Sequence, residues 1–422
     1  MNKWSNRRIG DLCEVFDGPH ATPKKTEQGP YYLSISSLEK GTLKLSKSAH
    51  LSEADFPKWT KRVTPQKGDL LFSYETRLGE AALMPDDIKA CLGRRMGILR
   101  PNPNQVTSNF LLYSYLSPDF QATIVANTIT GATVDRIALT ELPDFTLKIP
   151  DLPTQKKIAT ILTSLDDKIE LNNRINAELE GMAKLLYDYW FVQFEFPISA
   201  DQAAAMGKPH LEGKPYKSSS GPMTYDPQLK RDIPEGWQVG SLLDIATFTN
   251  GIACQKYPPN GGDTLGVIKI REMRSGFTKN SETVTTEVPS KVIVQNGDIL
   301  FSWSASLEVM IWAGGKGALN QHIFRVTSGT YPRSFCHFAL LDYLQHFKMI
   351  AELRKTTMGH ITRDHLEQSR IAIPPTKLTE QLDLKINPII EQTQNQHQQN
   401  QHLTSLRDWL LPMLMNGQVT VK

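Results

Sequence analysis

The chain has 422 residues, a formal net charge of +3, 40% hydrophobic and 22% charged residues, which is length enough for two or three ordinary soluble domains and too little charge to suggest a nucleic-acid partner by itself. No apolar run approaches the roughly 20 residues that span a bilayer, and the opening MNKWSNRRIGDLCEVFDG lacks the apolar core of a secretory leader. Cys13, Cys91, Cys254 and Cys336 are scattered without CxxC or Cys/His spacing, so no disulfide framework or zinc site is expected, and a reducing cytoplasm without membrane contact fits.

Taken in order, the chain repeats itself. Trp4, Asp11 and Gly18 recur 233 residues later as Trp237, Asp244 and Gly251. The run VTPQKGDLLFSYE, with Gly68 and Asp69, answers VIVQNGDILFSWS, with Gly297 and Asp298. Leu92, Arg94 and Arg95 line up with Leu319, Gln321 and His322, and the stretch around Gly131 lines up with that around Gly359. In each repeat GDLLFSY or GDILFSW reads as a buried strand after a Gly-Asp turn. LLYSYLSPDFQATIVAN and FCHFALLDYLQHFKMIAELRK read as helices, so both repeats are mixed α+β domains. Tyr74 and Trp303, beside the buried strands, are expected in the core, and Gly131 and Gly359 in turns.

Each repeat then enters a long helix at a proline-marked boundary, Pro153 and Pro375. From Thr154 to Trp190, Ile158, Leu162, Leu165, Ile169, Asn172, Asn176, Leu179, Ala183 and Leu186 step by four and three. This is a coiled-coil seam, and at 1.5 Å per residue a rod of roughly 55 Å. A second seam runs from Leu382 through Ile386, Thr393, Asn400 and Arg407 to Leu414, again apolar at both ends and polar in the middle. The shared pattern predicts that the two helices pair, with Asn172, Asn176 and Asn400 fixing register. The Gln-rich tract QTQNQHQQNQ is read as the polar middle of this seam, and Pro388 is expected to kink the helix or end a first segment. Residues 196–230, poor in large apolar side chains, read as an irregular linker. The expected order is domain 1–150, helical spacer 151–195, linker 196–230, domain 231–375 and helical spacer 376–422. The fold class is α+β, with two repeated domains separated by two long antiparallel coiled-coil helices in a pseudo-twofold, circular arrangement that brings the final MNGQVTVK near Trp4.

Catalytic signatures are missing. YPPN and IPPT are the only Pro-Pro pairs, and neither has the form of an adenine-methyltransferase motif. There is no GxxxxGK[ST] and no Gly-rich cofactor loop after a strand. PDDIK, at Pro85–Lys89, holds only collapsed fragments of a nuclease motif, and Asp86 and Asp87 are expected to cap a surface turn. No Ser/His/Asp or Cys/His arrangement stands out. The chain therefore reads as non-catalytic and as binding no cofactor itself. Two related but different domains held by paired helices suit a two-part asymmetric target with a fixed gap, and B-DNA, repeating every 34–36 Å, offers such a target.

The sequence resembles the specificity (S) subunit of type I restriction–modification systems over essentially its whole length. The likeness rests on DGPHATPKKTEQGPYYLSISSL, both GD[LI]LFS runs, LNQHIF, IPDLPTQKKIATILTSLDDKIELNNR, LLYDYWFVQFEF, DIPEGWQVGSL and LRDWLLPMLMNGQ. The resemblance implies two target-recognition domains, each reading one half of a bipartite site in double-stranded DNA, with helical spacers between them. It also implies two modification (methyltransferase) subunits docked on the helices, and a restriction (endonuclease/translocase) subunit. S-adenosylmethionine, ATP and Mg would belong to those partners. Pro388 and the Gln-rich seam depart from the pattern and bear on the straightness of the second helix.

Phosphate contacts position a protein and base-edge contacts specify, with Arg favouring guanine and Asn or Gln adenine. On that basis the DNA-binding candidates in the first repeat are Lys24, Lys25, Arg77, Arg94, Arg95 and Arg136. Those in the second are Arg271, Arg274, Lys316, Gln321, His322, Arg354, Lys355, His360 and Arg363. Equivalent position with different identity, as at Arg94/Arg95 against Gln321/His322, is what two half-site readers need. The alternatives are a helical scaffold that pairs proteins without reading DNA, and an enzyme with an unrecognised site.

Overall fold

A computed structural model describes residues 4–131, 134–304, 306–353 and 360–421. The chain divides into two units, 1–169 with 403–422, and 170–402. The boundary falls inside both long helices, Leu152–Tyr187 and Thr376–Met415, so each unit is described with its own share of them.

The first unit is built on a four-stranded antiparallel sheet in the order Cys13–Asp17, Met96–Pro101, Leu70–Ser73, Ala81–Leu83. Leu70–Ser73 is buried along its whole length, as its unbroken apolar run requires of a strand covered on both faces. It follows a turn at Gly68, whose φ of 83° suits glycine. One face packs on the helices Ser108–Leu116 and Pro118–Ala126 and on the long-helix ends, joining Phe72, Phe110, Tyr115, Leu162 and Leu414 in one core. The stretch LLYSYLSPDFQATIVAN is thus two helices. Ser117 breaks it, its hydroxyl accepting from the Phe120 amide with Pro118 at the first helical position. The other face covers a second core around Leu33, Leu71, Leu92 and Ile98, over a sheet in which Thr26–Leu33 pairs in parallel with Ala90–Leu92. A short ladder of Ser5–Arg8 with Thr146–Ile149 leads into the first long helix.

The second unit repeats this plan. Its sheet runs Thr247–Asn250, Ile323–Thr327, Ile299–Ser302, Glu308–Ile311, after a turn at Gly297 with φ of 95°. Thr264–Ile268 pairs in parallel with Gly317–Leu319, and Gln238–Gly240 pairs with Ile371–Ile373 before the second long helix. The helix Arg333–Leu353 covers the sheet, and Phe301, Phe335, Phe347, Trp190, Leu382 and Ile386 share the core.

Inside each unit the long helices touch with residue numbers running in opposite directions. In the first, Arg407 meets Asp166 at 2.8 Å, and the Tyr113 hydroxyl donates to the same carboxylate at 2.7 Å. In the second, Asn172 Nδ2 donates to Gln399 Oε1 at 2.7 Å and Asn400 Oδ1 at 2.8 Å, while Asn400 Nδ2 donates to Asn173 Oδ1 at 2.9 Å. Asn172 and Asn176 are 1% and 3% exposed, so the polar middle of the first seam is indeed buried.

Two expectations need correction. Pro388 does not end a segment: the helix continues from Thr376 to Met415. Proline costs the helix one amide donor, to the carbonyl of Leu384. Leu384 is 78% exposed, so that carbonyl lies on a water-facing side, while Ile386 and Ile390 anchor the opposite face in the core. Residues 196–230 are not irregular either. They carry the helix Ala200–Ala205 with a Ser199–Gln202 capping box, and the hairpin of Met223–Asp226 with Arg231–Pro234. The few large apolar residues there are placed to pack: Phe196 stacks on Tyr216 at 4.5 Å and on Trp237 at 5.5 Å.

Candidate nucleic-acid interface

Each four-stranded sheet has an anchored end and an open end. At the anchored end of the first, Arg100 grips Asp69 with two bonds, Nε to Oδ1 at 2.9 Å and Nη2 to Oδ2 at 2.7 Å, while Asp69 Oδ2 also accepts from the Gln66 amide at 2.8 Å. The second has a looser counterpart, a single bond from Arg325 Nη2 to Asp298 Oδ1 at 2.9 Å, with Asp298 Oδ2 accepting from the Gln295 amide at 2.8 Å. These arginines belong to the scaffold and hold the strand start in place, Arg100 by a forked guanidinium–carboxylate pairing and Arg325 by a single bond.

The open end lies after Ser73 in the first sheet and after Ser302 in the second. Its backbone is set by close approach. A side chain at Gly18 would stand 2.8 Å from the Gly93 carbonyl oxygen, and one at Gly251 would stand 2.2 Å from that of Asn320, so only glycine lets these segments meet. The Tyr74 amide donates to the Arg95 carbonyl at 3.2 Å, and the Ile137 amide to the Tyr74 carbonyl at 2.9 Å. The first repeat thus gathers Arg94, Arg95 and Arg136 around Tyr74. Arg95, at a left-handed φ of 73°, is held by Glu75 at 3.0 Å and Thr76 at 3.3 Å. Arg77 is braced by Glu80 at 3.1 Å and the Ile35 carbonyl at 3.0 Å. Asp17 is paired with Arg62 at 2.7 Å and lies 3.1 Å from His20. Arg94 and Arg136 are exposed, with no side-chain partner among the described residues. Tyr74 is buried as expected, and burial, with Asp17 and Glu75 nearby, pushes its hydroxyl up. Lys24 and Lys25 sit exposed just before the strand Thr26–Leu33.

In the second repeat the open end gathers Gln321, His322 and His360 around Trp303. Here the rings of His322 and His360 each lie 5.5 Å from the indole. The indole Nε1 donates to Asn250 Oδ1 at 3.1 Å, and Gln321 Nε2 lies 3.4 Å from His322 Nε2. Trp303 is only partly buried, so it borders the surface and is less a core residue than Tyr74. Arg274 is paired with Glu308, Nε to Oε1 at 2.8 Å. Arg271 bonds Glu272 at 2.7 Å and the Asn280 carbonyl at 3.0 Å. Both are tied down within the unit. Lys316 and Arg363 are exposed. Arg354, Lys355 and Gly359 lie outside the described residues. Sequence reasoning missed Asp17 and Asn250, although each directly precedes a repeated glycine, because neither is basic.

The four cysteines are buried and free. Burial pushes Cys13 and Cys91 up to about 12 and Cys336 up to about 11, which keeps them as unreactive thiols.

The profile of the type I restriction modification DNA specificity domain matches residues 1–181 and again residues 234–405. The chain is similar to the type I restriction enzyme HindI specificity subunit of Haemophilus influenzae, at 27% identity over 99% of this chain and 100% of that one. It is similar at 23% identity to the MjaIX specificity subunit of Methanocaldococcus jannaschii, over 99% of this chain and 94% of that one. The crystal structure of a type I restriction–modification S subunit from M. genitalium shares its fold, with a TM-score of 0.57 at 14% identity over 98% of this chain and 96% of that one. With the same domain matched twice and most of its length accounted for, the chain belongs to the family of type I restriction–modification specificity subunits.

Proposed function

We propose that this chain selects the DNA sequence for a type I restriction–modification complex, residues 1–150 reading one half of an asymmetric bipartite site and residues 231–375 the other. The observation that carries this reading is the doubled specificity domain, matched at 1–181 and 234–405, on two units with the same strand order and different side chains at the open end. Spacers 151–195 and 376–422 then set the gap as an antiparallel coiled coil, and 196–230 joins the first spacer to the second reader. A pseudo-twofold, circular order gains support from two contacts internal to the units. A side chain at Gly417 would meet the Trp4 indole at 2.6 Å, while Trp237 packs 5.8 Å from Phe191 and 5.2 Å from Phe194 just after the first long helix.

Two modification subunits dock on the helices in this reading. Support comes from an outward apolar stripe at helical spacing, Met182, Leu185 and Tyr189, exposed by 59%, 70% and 40%. S-adenosylmethionine, ATP and Mg reside in those partners and in a restriction subunit, and the complex works in the cytoplasm on genomic DNA. No helix among the described residues is long and apolar enough to cross a membrane. The candidate contacts are Arg94, Arg136, Gln321, His322 and His360 at the open ends. Lys24, Lys25, Lys316, Arg363, Arg354 and Lys355 are phosphate-positioning residues, while Arg77, Arg95, Arg271 and Arg274 are available only where DNA displaces their present partners.

The test is the adenine methylation pattern of genomic DNA with and without this gene, beside its native methyltransferase. One asymmetric bipartite motif that vanishes on deletion is the expected result. A motif that persists unchanged would leave the helical-scaffold reading in its place.

A further inference from the structure

The two repeats allow a comparison inside one molecule. Beneath the open ends they agree: Gly18 and Gly251, Asp69 and Asp298, Phe72 and Phe301, Ser73 and Ser302 occupy corresponding places, and an arginine grips each aspartate, Arg100 from two residues further along its strand than Arg325. Three backbone bonds at the open end also correspond. Gly18 donates to Met96 at 2.9 Å as Gly251 does to Ile323 at 3.1 Å. Tyr74 donates to Arg95 as Trp303 does to His322, both at 3.2 Å, and Ile137 donates to Tyr74 at 2.9 Å as Ile361 does to Trp303 at 3.0 Å. These bonds put Asp17 in register with Asn250, Tyr74 with Trp303, Arg94 and Arg95 with Gln321 and His322, and Arg136 with His360. At each of these five positions the identity differs. Backbone and support are held while the side chains at the rim are exchanged, as expected of a reader whose sequence preference differs between two copies.

The exchange also changes the chemistry. The first rim carries three arginines against one aspartate, and the second carries no arginine, lysine or carboxylate. Of the two adjacent arginines, Arg95 is engaged by Glu75 and Thr76, and it positions the Tyr74 segment through its carbonyl. Arg94 is exposed and unpartnered among the described residues, a free fork of donors suited to the O6 and N7 acceptors of guanine. Gln321, which stands in its place, pairs a donor and an acceptor on one amide, the pattern that matches adenine N7 and N6. Asn250 Oδ1 is taken by the Trp303 indole, which leaves the Asn250 amide donors to face outward.

We infer that both half-sites are read through this one shared five-position frame, with Arg94 contacting a required guanine in the first half and Gln321 a required adenine in the second. The inference rests on the proposed function and names the bases at its sites. The experiment maps adenine methylation genome-wide in cells carrying the full complex with wild-type chain, R94Q or Q321R. R94Q is expected to relax or replace a guanine in one half-site only, with methylation of the original sites falling about tenfold or more, and Q321R to alter an adenine requirement in the other half only. R94K keeps the charge but loses the fork, and is expected to weaken the same guanine. It also serves if R94Q is poorly folded, as judged by melting and by co-purification with the methyltransferase. A wild-type motif left intact by R94Q, R94K and Q321R overturns the frame alone. A wild-type chain that supports no bipartite motif overturns the functional reading as well.

Discussion

Asp69 keeps its carboxylate 2% exposed because Arg100 and the Gln66 amide satisfy it from both sides. Removing that partner strands a guanidinium that is itself only 26% exposed, so Asp69→Ala should cost about 3 kcal/mol. Asp298 is 15% exposed. Water can replace its lost partner more readily, and Asp298→Ala should cost less, which urea unfolding of the two variants would compare. His337 is a different case. Its Nδ1 is sealed from water without a protein partner. Burial lowers it from 6.5 to about 4, partly opposed by Glu180 and reinforced by Arg333. Between those values the unfolded chain takes up a proton that the folded chain refuses, so His337 withdraws stability as pH falls below about 6.5. The loss from pH 7 to pH 5 should be about 2 kcal/mol, and His337→Gln should remove that part of the pH dependence in denaturant titrations.

At the scale of elements, the polar seam matters more than its apolar ends. Leucines in a uniform seam tolerate a slip by one heptad, whereas the amide ladder from Asn172 to Gln399 and Asn400 is satisfied in one register. Asp166 against Arg407, beneath Tyr113, selects the same register from within the other unit. Deleting residues 166–172 together with the facing heptad 400–406 removes these register bonds but takes one full heptad from each helix, so the four-and-three seam stays in phase and pairing should persist. It should shorten the rod by about 10 Å, or about three base pairs. Methylome mapping of that variant should report the same two half-sites with a shorter spacer, and an unchanged spacer would mean that the helices do not set it.

At the scale of the whole molecule, each unit has hydrophobic cores of its own, so readers should be exchangeable as blocks. Replacing residues 231–375 by the corresponding segment of a relative with another specificity should change one half of the methylated motif and leave the other half intact. A change in both halves would contradict separate reading by the two repeats.

Much of this was legible in the residues alone. The repeated Gly-Asp-apolar runs announced the buried strands Leu70–Ser73 and Ile299–Ser302, because glycine at positive φ and an uninterrupted apolar run leave few alternatives. The four-and-three spacing announced both long helices, whereas the burial of the four cysteines came from the fold. Three further things depended on the tertiary structure. Pro388 stays within a helix because Ile386 and Ile390 are pinned in a core that no local rule describes. Residues 196–230 are ordered because Phe196, Tyr216 and Trp237, distant in sequence, stack together. Which basic residues are free, Arg94 and Arg136, and which are already engaged, Arg77, Arg95, Arg271 and Arg274, was decided by carboxylates and carbonyls brought in by folding. Local backbone preference and hydrophobic period are properties of neighbouring residues, and sequence alone determines them. Pairing and exposure are properties of residues that meet only in three dimensions.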